Sequence, residues 1–240
     1  MGTFRHTCVT DVGKQKAVNE DRWFADPERG LYVVADGMAN DLAPQELVDR
    51  LPELFNELVE NTDLISTQEF AQEVHDRINQ LNLFVHQQMV ESQEAGLGTT
   101  LVLAIFKAPT VLLSHVGDSR AYFYRNDKLD QITIDHSFLQ SMLDRGLITA
   151  EEAETHGNGG PTQFLGMENP VFPGICTFAM EPGDRLLLCT DGLTEMVSDE
   201  GILSVFQRRT EPEEICQELV DVSNQAGGRD NVTVLILAAD

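Results

Sequence analysis

A layered α+β sandwich is the fold class this 240-residue sequence predicts. Two long helical periodicities lie side by side in the first half. A run of short β-prone segments fills the middle, and further helices precede a closing strand. Helices and strands grouped in this way fit an α+β sandwich better than a βαβ repeat. The length suffices for one large core, and no Pro/Gly/Ser-rich linker, internal repeat or low-complexity stretch divides it, so one domain is expected over residues 1–240.

Leu31–Asp36 is a short apolar run ending in Asp-Gly, read as a buried strand. From Ala43 to Asn61, Leu47, Leu51, Leu54, Leu58 and Val59 recur at helical spacing, with Pro52 expected to kink or divide the helix. Ser66-Thr67-Gln68-Glu69 has the capping-box pattern and opens a second helix, whose stripe is Phe70, Val74, Ile78, Leu81, Val85 and Met89. Thr100–Phe106, Val111–Val116, Ala121–Tyr124 and Gln131–Ile134 read as consecutive strands with turn residues between them, Asn126-Asp127 included. Ser137–Arg145 reads as a short helix ended by Gly146, and Thr149-Ala150-Glu151-Glu152 is another capping box. Strands return at Gly174–Met180 and Arg185–Thr190, helices at Ser198–Gln207 and Pro212–Ala226, and Asn231–Leu237 closes the sheet. The first 24 residues are polar and mixed in charge and are assigned no element.

The formal charge of −24 argues against nucleic-acid and anionic-membrane partners, which need clustered Lys and Arg. Cys8, Cys176, Cys189 and Cys216 show no C-x-x-C spacing, and Cys176 and Cys189 read as small core residues, which favours a reducing compartment. There is no signal-peptide h-region, the myristoylation pattern fails at His6, and no apolar run approaches the roughly 18 residues of a membrane span. A soluble, cytoplasmic monomer is expected.

Four fragments carry chemistry: Val34-Ala35-Asp36-Gly37, Val116-Gly117-Asp118-Ser119-Arg120, Cys189-Thr190-Asp191-Gly192 and Gly228-Arg229-Asp230-Asn231. Each sets an Asp beside an apolar, β-prone run, and a strand end is a rigid place to hold a carboxylate. Carboxylates converging from separate strands require cations, and hard divalent ions such as Mg²⁺ or Mn²⁺ prefer all-oxygen ligands. A lone Asp-Gly is only a turn. Asp118 also has an alternative as an ion-pair partner of Arg120, and His136 is read as a hydrogen-bonded core histidine. Thr99 and Thr100 are read as structural. The sequence contains no H-E-x-x-H, G-x-S-x-G or P-loop.

Taken in order, Asp11-Val12-Gly13…Lys16…Asn19-Glu20-Asp21, Asp36-Gly37-Met38, Gly98-Thr99-Thr100, Gly117-Asp118-Ser119-Arg120, Asp135-His136-Ser137, Asp191-Gly192-Leu193 and Gly228-Arg229-Asp230-Asn231 resemble the motifs of the type 2C metal-dependent serine/threonine protein phosphatases in their compact bacterial form. The resemblance covers nearly the whole chain. It implies a four-layer αββα sandwich of two stacked antiparallel sheets flanked by pairs of helices. It also implies hydrolysis of phosphoserine and phosphothreonine in proteins, opposing a bacterial Ser/Thr kinase and acting on that kinase's targets. By the same resemblance Asp36 bridges two Mg²⁺ or Mn²⁺ ions, the Gly37 carbonyl completes the second, Asp191 and Asp230 hold the first, and Asp118 contributes to a third, weaker ion. Glu20 orients water and Lys16 contacts phosphate. A pair of such ions about 3.5–4 Å apart can lower the pKa of a shared water and clamp a phosphate for in-line attack. Three departures stand out. Lys16 replaces the family's usual Arg, and a lysine lacks the bidentate fork. Ala39-Asn40-Asp41 replaces the usual Gly-Gly-His. The segment matching the family's flap, about 144–165, carries Gly157, Gly159 and Gly160. These departures leave room for a catalytically weak phosphoprotein-binding module of the same fold, and another metal-dependent phosphoester hydrolase is the further alternative.

Overall fold

The computed structural model describes residues 4–39, 41–60, 62–153 and 159–239. Among the described residues, ten strands form two wholly antiparallel five-stranded sheets. The first sheet contains β1 (Phe4–Asp11), β10 (Val232–Ala239), β9 (Arg185–Cys189), β6 (Arg120–Arg125) and β7 (Lys128–Gln131), in that spatial order. The second contains β2 (Arg22–Asp26), β3 (Leu31–Ala35), β4 (Leu101–Lys107), β5 (Thr110–Val116) and β8 (Gly174–Ala179).

Three apolar layers account for the stacking. Tyr32, Val34, Val102, Leu113, Leu186, Leu188 and Leu235 interdigitate between the sheets. The outer face of the second sheet buries Val33, Leu103 and Leu112 against Leu47, Leu51 and Phe55 of α1 (Leu42–Glu60) and Val74, Ile78 and Val85 of α2 (Gln68–Glu91). The outer face of the first buries Leu187, Val234 and Ile236 against α5 (Asp191–Thr194), α6 (Asp199–Arg208) and α7 (Pro212–Gln225). The predicted four-layer αββα sandwich is the observed one.

Several local expectations change. The first 24 residues contain β1 and the start of β2. β1 pairs with β10 through its full length, Phe4 with Ala239 to Asp11 with Val232, so its structure comes from a long-range partner and not from its own polar composition. β7 lies at Lys128–Gln131, earlier than the expected Gln131–Ile134. Asn126 and Asp127 adopt φ of 52° and 60° and make a two-residue hairpin turn closed by Arg125 and Lys128. α1 runs unbroken through Pro52. The cap of α2 is Thr67, whose hydroxyl accepts from Phe70 N at 3.2 Å, so the Ser66/Glu69 box is not the one used. The Thr149/Glu152 box does form, with Thr149 N donating to Glu152 Oε2 at 2.8 Å and Glu152 N to Thr149 Oγ1 at 3.2 Å. Cys176 is exposed on the edge strand β8, not in the core. α3 (Phe138–Asp144) and the four-residue α4 (Ala150–Ala153) occupy the flap segment. Gly157 and Asn40 fall outside the described residues. No helix of the described residues is long and apolar enough to cross a membrane.

Candidate metal centre

The candidate site lies where β3 and β9 end and β10 begins. Asp36 follows β3, and its backbone is fixed on the side of β4. Its N–H donates to Thr100 Oγ1 at 3.0 Å, and its carbonyl accepts from Thr99 Oγ1 at 2.8 Å and Thr100 N at 2.9 Å. Gly37 bridges to Thr99, and Met38 N donates to Gly98 O at 2.9 Å. Thr99 and Thr100 are therefore structural, as expected, and the structure they hold is the Asp36 turn. Asp191 is the first residue of α5 directly after β9, placed by Thr190 at the cap.

The carboxylate that sequence reasoning left out of the ligand set is Asp21. It is 3 % exposed. Its Oδ2 accepts from Thr190 Oγ1 at 2.9 Å and Thr233 Oγ1 at 2.7 Å, which ties it to β9 and β10. Its Oδ1 is buried without a hydrogen-bond partner, as is Oδ1 of Asp191. The Asn19-Glu20-Asp21 motif pointed to a site role for Asp21, but with only the short Trp23-Phe24-Ala25 stretch after it the fourfold pattern of an Asp beside an apolar run did not mark it as a ligand.

Burial and mutual repulsion act on these groups together. Burial pushes Asp21 up to about 7, against the pull of its two threonine donors and with help from Asp191 and Asp230. Burial likewise lifts Asp36 well above the usual carboxylate range, and the charges of Asp191, Asp21 and Asp230 add to it. Asp191 rises to about 6 through burial, although a hydrogen bond from Asp36 opposes the rise. Asp118, on the β5–β6 loop, is raised to about 7 by burial and then by Asp191. Arg120 is not its partner: the guanidinium binds Asp135 by a fork, Nε to Oδ1 at 2.9 Å and Nη2 to Oδ2 at 2.7 Å.

Asp230 is half-buried and points elsewhere, its Oδ1 lying 2.8 Å from Lys16 Nζ. Lys16 Nζ also lies 3.3 Å from Glu20 Oε2. Burial alone would lower the Lys16 pKa, but the hydrogen bonds and charges of Asp230 and Glu20 reverse this and raise it, so the ammonium stays charged. Asn231 completes the frame. Its Oδ1 accepts from Glu20 N at 2.8 Å, and its Nδ2 donates to Val12 O and Val18 O, each at 2.9 Å. Among the described residues, no group of three or more His, Cys, Asp or Glu side chains stands arranged as a finished metal-ligand set. Asp36 and Asp191 instead act on each other's charge, and Asp230 turns to Lys16. Like charges adopt this arrangement when protons and an ammonium must neutralise them. The donor set still fits a hard divalent cation, since it is all oxygen and two of its buried oxygens lack any donor.

His136 is not among these groups. Its ring stacks on His115 with centroids 4.8 Å apart, its Nδ1 accepts from Gly117 N at 3.3 Å, and burial followed by the neighbouring imidazole lowers it to about 4. It is a half-buried, hydrogen-bonded histidine against the β5–β6 loop, not a fully buried core residue.

Comparison with known proteins agrees with this geometry. A family model described as Protein phosphatase 2C matches residues 10–222. The chain is 34% identical over 236 residues to the serine/threonine protein phosphatase PstP of Mycobacterium tuberculosis, covering 97% of this chain and 44% of that protein. It therefore spans less than half of that relative's length. With the serine/threonine phosphatase stp of Listeria innocua it shares 32% identity over 240 residues, covering 95% of this chain and 93% of the relative. A solved structure of the PstP catalytic domain in complex with 2 manganese ions superposes with a TM-score of 0.83 at 31% identity, covering 100% of this chain and 99% of the other. The chain belongs to the protein phosphatase 2C family.

Proposed function

We propose that this chain is a Mg²⁺- or Mn²⁺-dependent phosphatase that hydrolyses phosphoserine and phosphothreonine in proteins, as a single catalytic domain over residues 1–240. The observation that carries the reading is the cluster of Asp21, which is buried, with the half-buried Asp36 and Asp191, drawn from separate parts of the chain, with two carboxylate oxygens lacking any donor. Asp36, the Gly37 carbonyl, Asp191 and Asp230 are the residues assigned to hold two ions, with Asp118 assigned to a third. When bound, such ions acidify water and disperse charge on the phosphoryl oxygens.

The chain's own residues supply the rest. Asn231 fixes the loop that presents Glu20, whose carboxylate accepts a hydrogen bond from Lys16 Nζ at the site's edge. Lys16 is assigned to the incoming phosphate. Its ammonium is charged, stands at the same edge, and can exchange Asp230 for a phosphoryl oxygen. In a chain of net charge −24, a phosphate dianion needs this local reversal of field to enter. Phosphorylated proteins, including targets of a serine/threonine kinase, are the proposed substrates, and the proposed location is the cytoplasm.

Phosphate release from a phosphothreonine peptide, with Mn²⁺ and then with excess chelator, tests this. Release with Mn²⁺ and none with chelator is expected. Binding of the peptide without release would make the chain a phosphoprotein-binding module, and cleavage of a diester alone would make it a different hydrolase.

A further inference from the structure

The turn carrying Asp36 and Gly37 is held by β4's leading residues, and those residues are held in turn by a segment from the far end of the flap. Thr99 N donates to Leu165 O at 2.9 Å and Leu165 N to Thr99 O at 2.8 Å. Thr99 thus pairs with Gly37 on one side and Leu165 on the other. The approach is close: a Cβ on Gly98 would fall 2.1 Å from Leu165 O. Any shift of Leu165 therefore passes to Gly98 and Thr99, and from them to the Asp36 carbonyl.

What holds Leu165 is a polar stripe set into α2. Asn82 is fully buried on a helix face otherwise lined by Ile78, Leu81, Val85 and Met89. Its Oδ1 accepts from Gly166 N at 2.9 Å and Met167 N at 3.1 Å, and its Nδ2 donates to Met167 O at 3.0 Å and Asn169 O at 3.2 Å. All four hydrogen-bonding positions of the amide are used. One turn later His86 Nδ1 donates to Gly166 O at 2.9 Å. Nearly one turn earlier Asn79 grips the same loop farther on, accepting from Val171 N at 2.9 Å and donating to Val171 O at 3.1 Å. An apolar residue at position 82 would pack against the helix's other apolar residues, yet an amide stands there, clamping the backbone next to Leu165.

We infer that Asn82 is a positioning residue for the candidate metal centre: through Gly166, Leu165 and Thr99 it sets where the Asp36 carboxylate and the Gly37 carbonyl stand. The inference rests on the ligand assignment above and names a residue in contact with none of the ligands. Asn79 provides the control, since it clamps the same loop at Val171, away from Leu165.

The test compares Asn82→Ala with Asn79→Ala by calorimetric Mn²⁺ titration, thermal melting, and kcat and KM for a small aryl phosphate at saturating Mn²⁺. Asn82→Ala is expected to weaken Mn²⁺ binding about tenfold, in the range of outer-sphere positioning residues, while Asn79→Ala stays within about a factor of two. Both are expected to lower the melting temperature. If Asn82→Ala does not fold, His86→Ala, which frees only Gly166 O, is expected to weaken Mn²⁺ about threefold. Equal Mn²⁺ affinities in the Asn82, His86 and wild-type proteins would overturn the inference, as would equal losses in Asn82→Ala and Asn79→Ala. Because the readout is metal binding, wild-type protein that binds Mn²⁺ but releases no phosphate would sink the phosphatase reading and leave this comparison intact.

Discussion

Lys16 Nζ sits 2.8 Å from Asp230 Oδ1, so an ammonium presses on a carboxylate assigned to a metal ion. The pair is about one-third exposed on each side, 36% and 34%, which makes it an exchangeable contact rather than a structural lock. Removing the ammonium should leave the chemistry and weaken phosphate capture. Lys16→Ala is expected to raise KM for an aryl phosphate several-fold with kcat changed less, and Lys16→Arg to leave or improve activity through its fork. Initial rates at saturating Mn²⁺ check this, and an unchanged KM in Lys16→Ala would remove the residue from the site.

A second expectation concerns pH. Asp21 and Asp118 are raised to about 7 and Asp191 to about 6, each chiefly by burial, while unfolded aspartates titrate near ~4. The fold therefore holds protons the unfolded chain has released. That contribution is complete below about pH 4 and is lost as pH rises through about 6–7. Chelated protein should lose melting temperature from these groups between pH 5 and pH 7.5. Mn²⁺ requires the ionised form, so the increment it adds should be larger at pH 7.5 than at pH 5.5. Calorimetric scans at both pH values decide the matter; equal increments would count against a cluster that exchanges protons for metal.

The same argument separates stability from activity. Asp191→Asn removes a half-buried negative charge that acts on Asp36, so the chelated variant is expected to melt higher than wild type at pH 7.5. Turnover should fall by at least about a hundredfold, because a carboxylate ligand is gone. Asp36→Asn should behave alike. Retained turnover in either variant would refute the ligand assignment.

The layers were legible because α1, α2, α6 and α7 repeat apolar residues at helical spacing and β3, β4, β5, β9 and β10 are predominantly apolar runs. β1 was not, since its Arg5, His6, Thr7 and Thr10 belong to an edge strand whose pairing partner lies more than two hundred residues away. Asp36 and Asp191 announced themselves by standing at strand ends before glycine. Asn231 carried no such mark, because its three partners at Val12, Val18 and Glu20 become neighbours only in the folded chain. Asn82 was hidden for a different reason: it sits inside an apolar helical stripe whose periodicity is complete without it.

Gly192 tests the closeness of β9's end to β10. A Cβ there would fall 1.8 Å from Asn231 O, a backbone atom that cannot swing aside. Gly192→Ala must push α5 and the start of β10 apart and is expected to cost about 1–3 kcal/mol. The displaced residues are Asp191 and Asn231, so Mn²⁺ affinity should fall with stability. Denaturant melts paired with Mn²⁺ titration check it, and full affinity in a destabilised variant would show that Asp191 tolerates such a shift.

Asn231 itself offers the sharpest division between framework and chemistry. It is 1% exposed, and its amide makes three hydrogen bonds to the 12–20 loop. Truncation to alanine leaves Val12 O, Val18 O and Glu20 N without those partners, at an expected cost of about 2–3 kcal/mol. The loop carries both Lys16 and Glu20, so its release should raise KM in the manner of Lys16→Ala while also lowering kcat through Glu20. Asn231→Asp keeps the acceptor for Glu20 N and loses both donors, so it should hold kcat better than Asn231→Ala while sharing its higher KM. Identical kinetics in the two variants would mean that the Glu20 contact does not govern turnover.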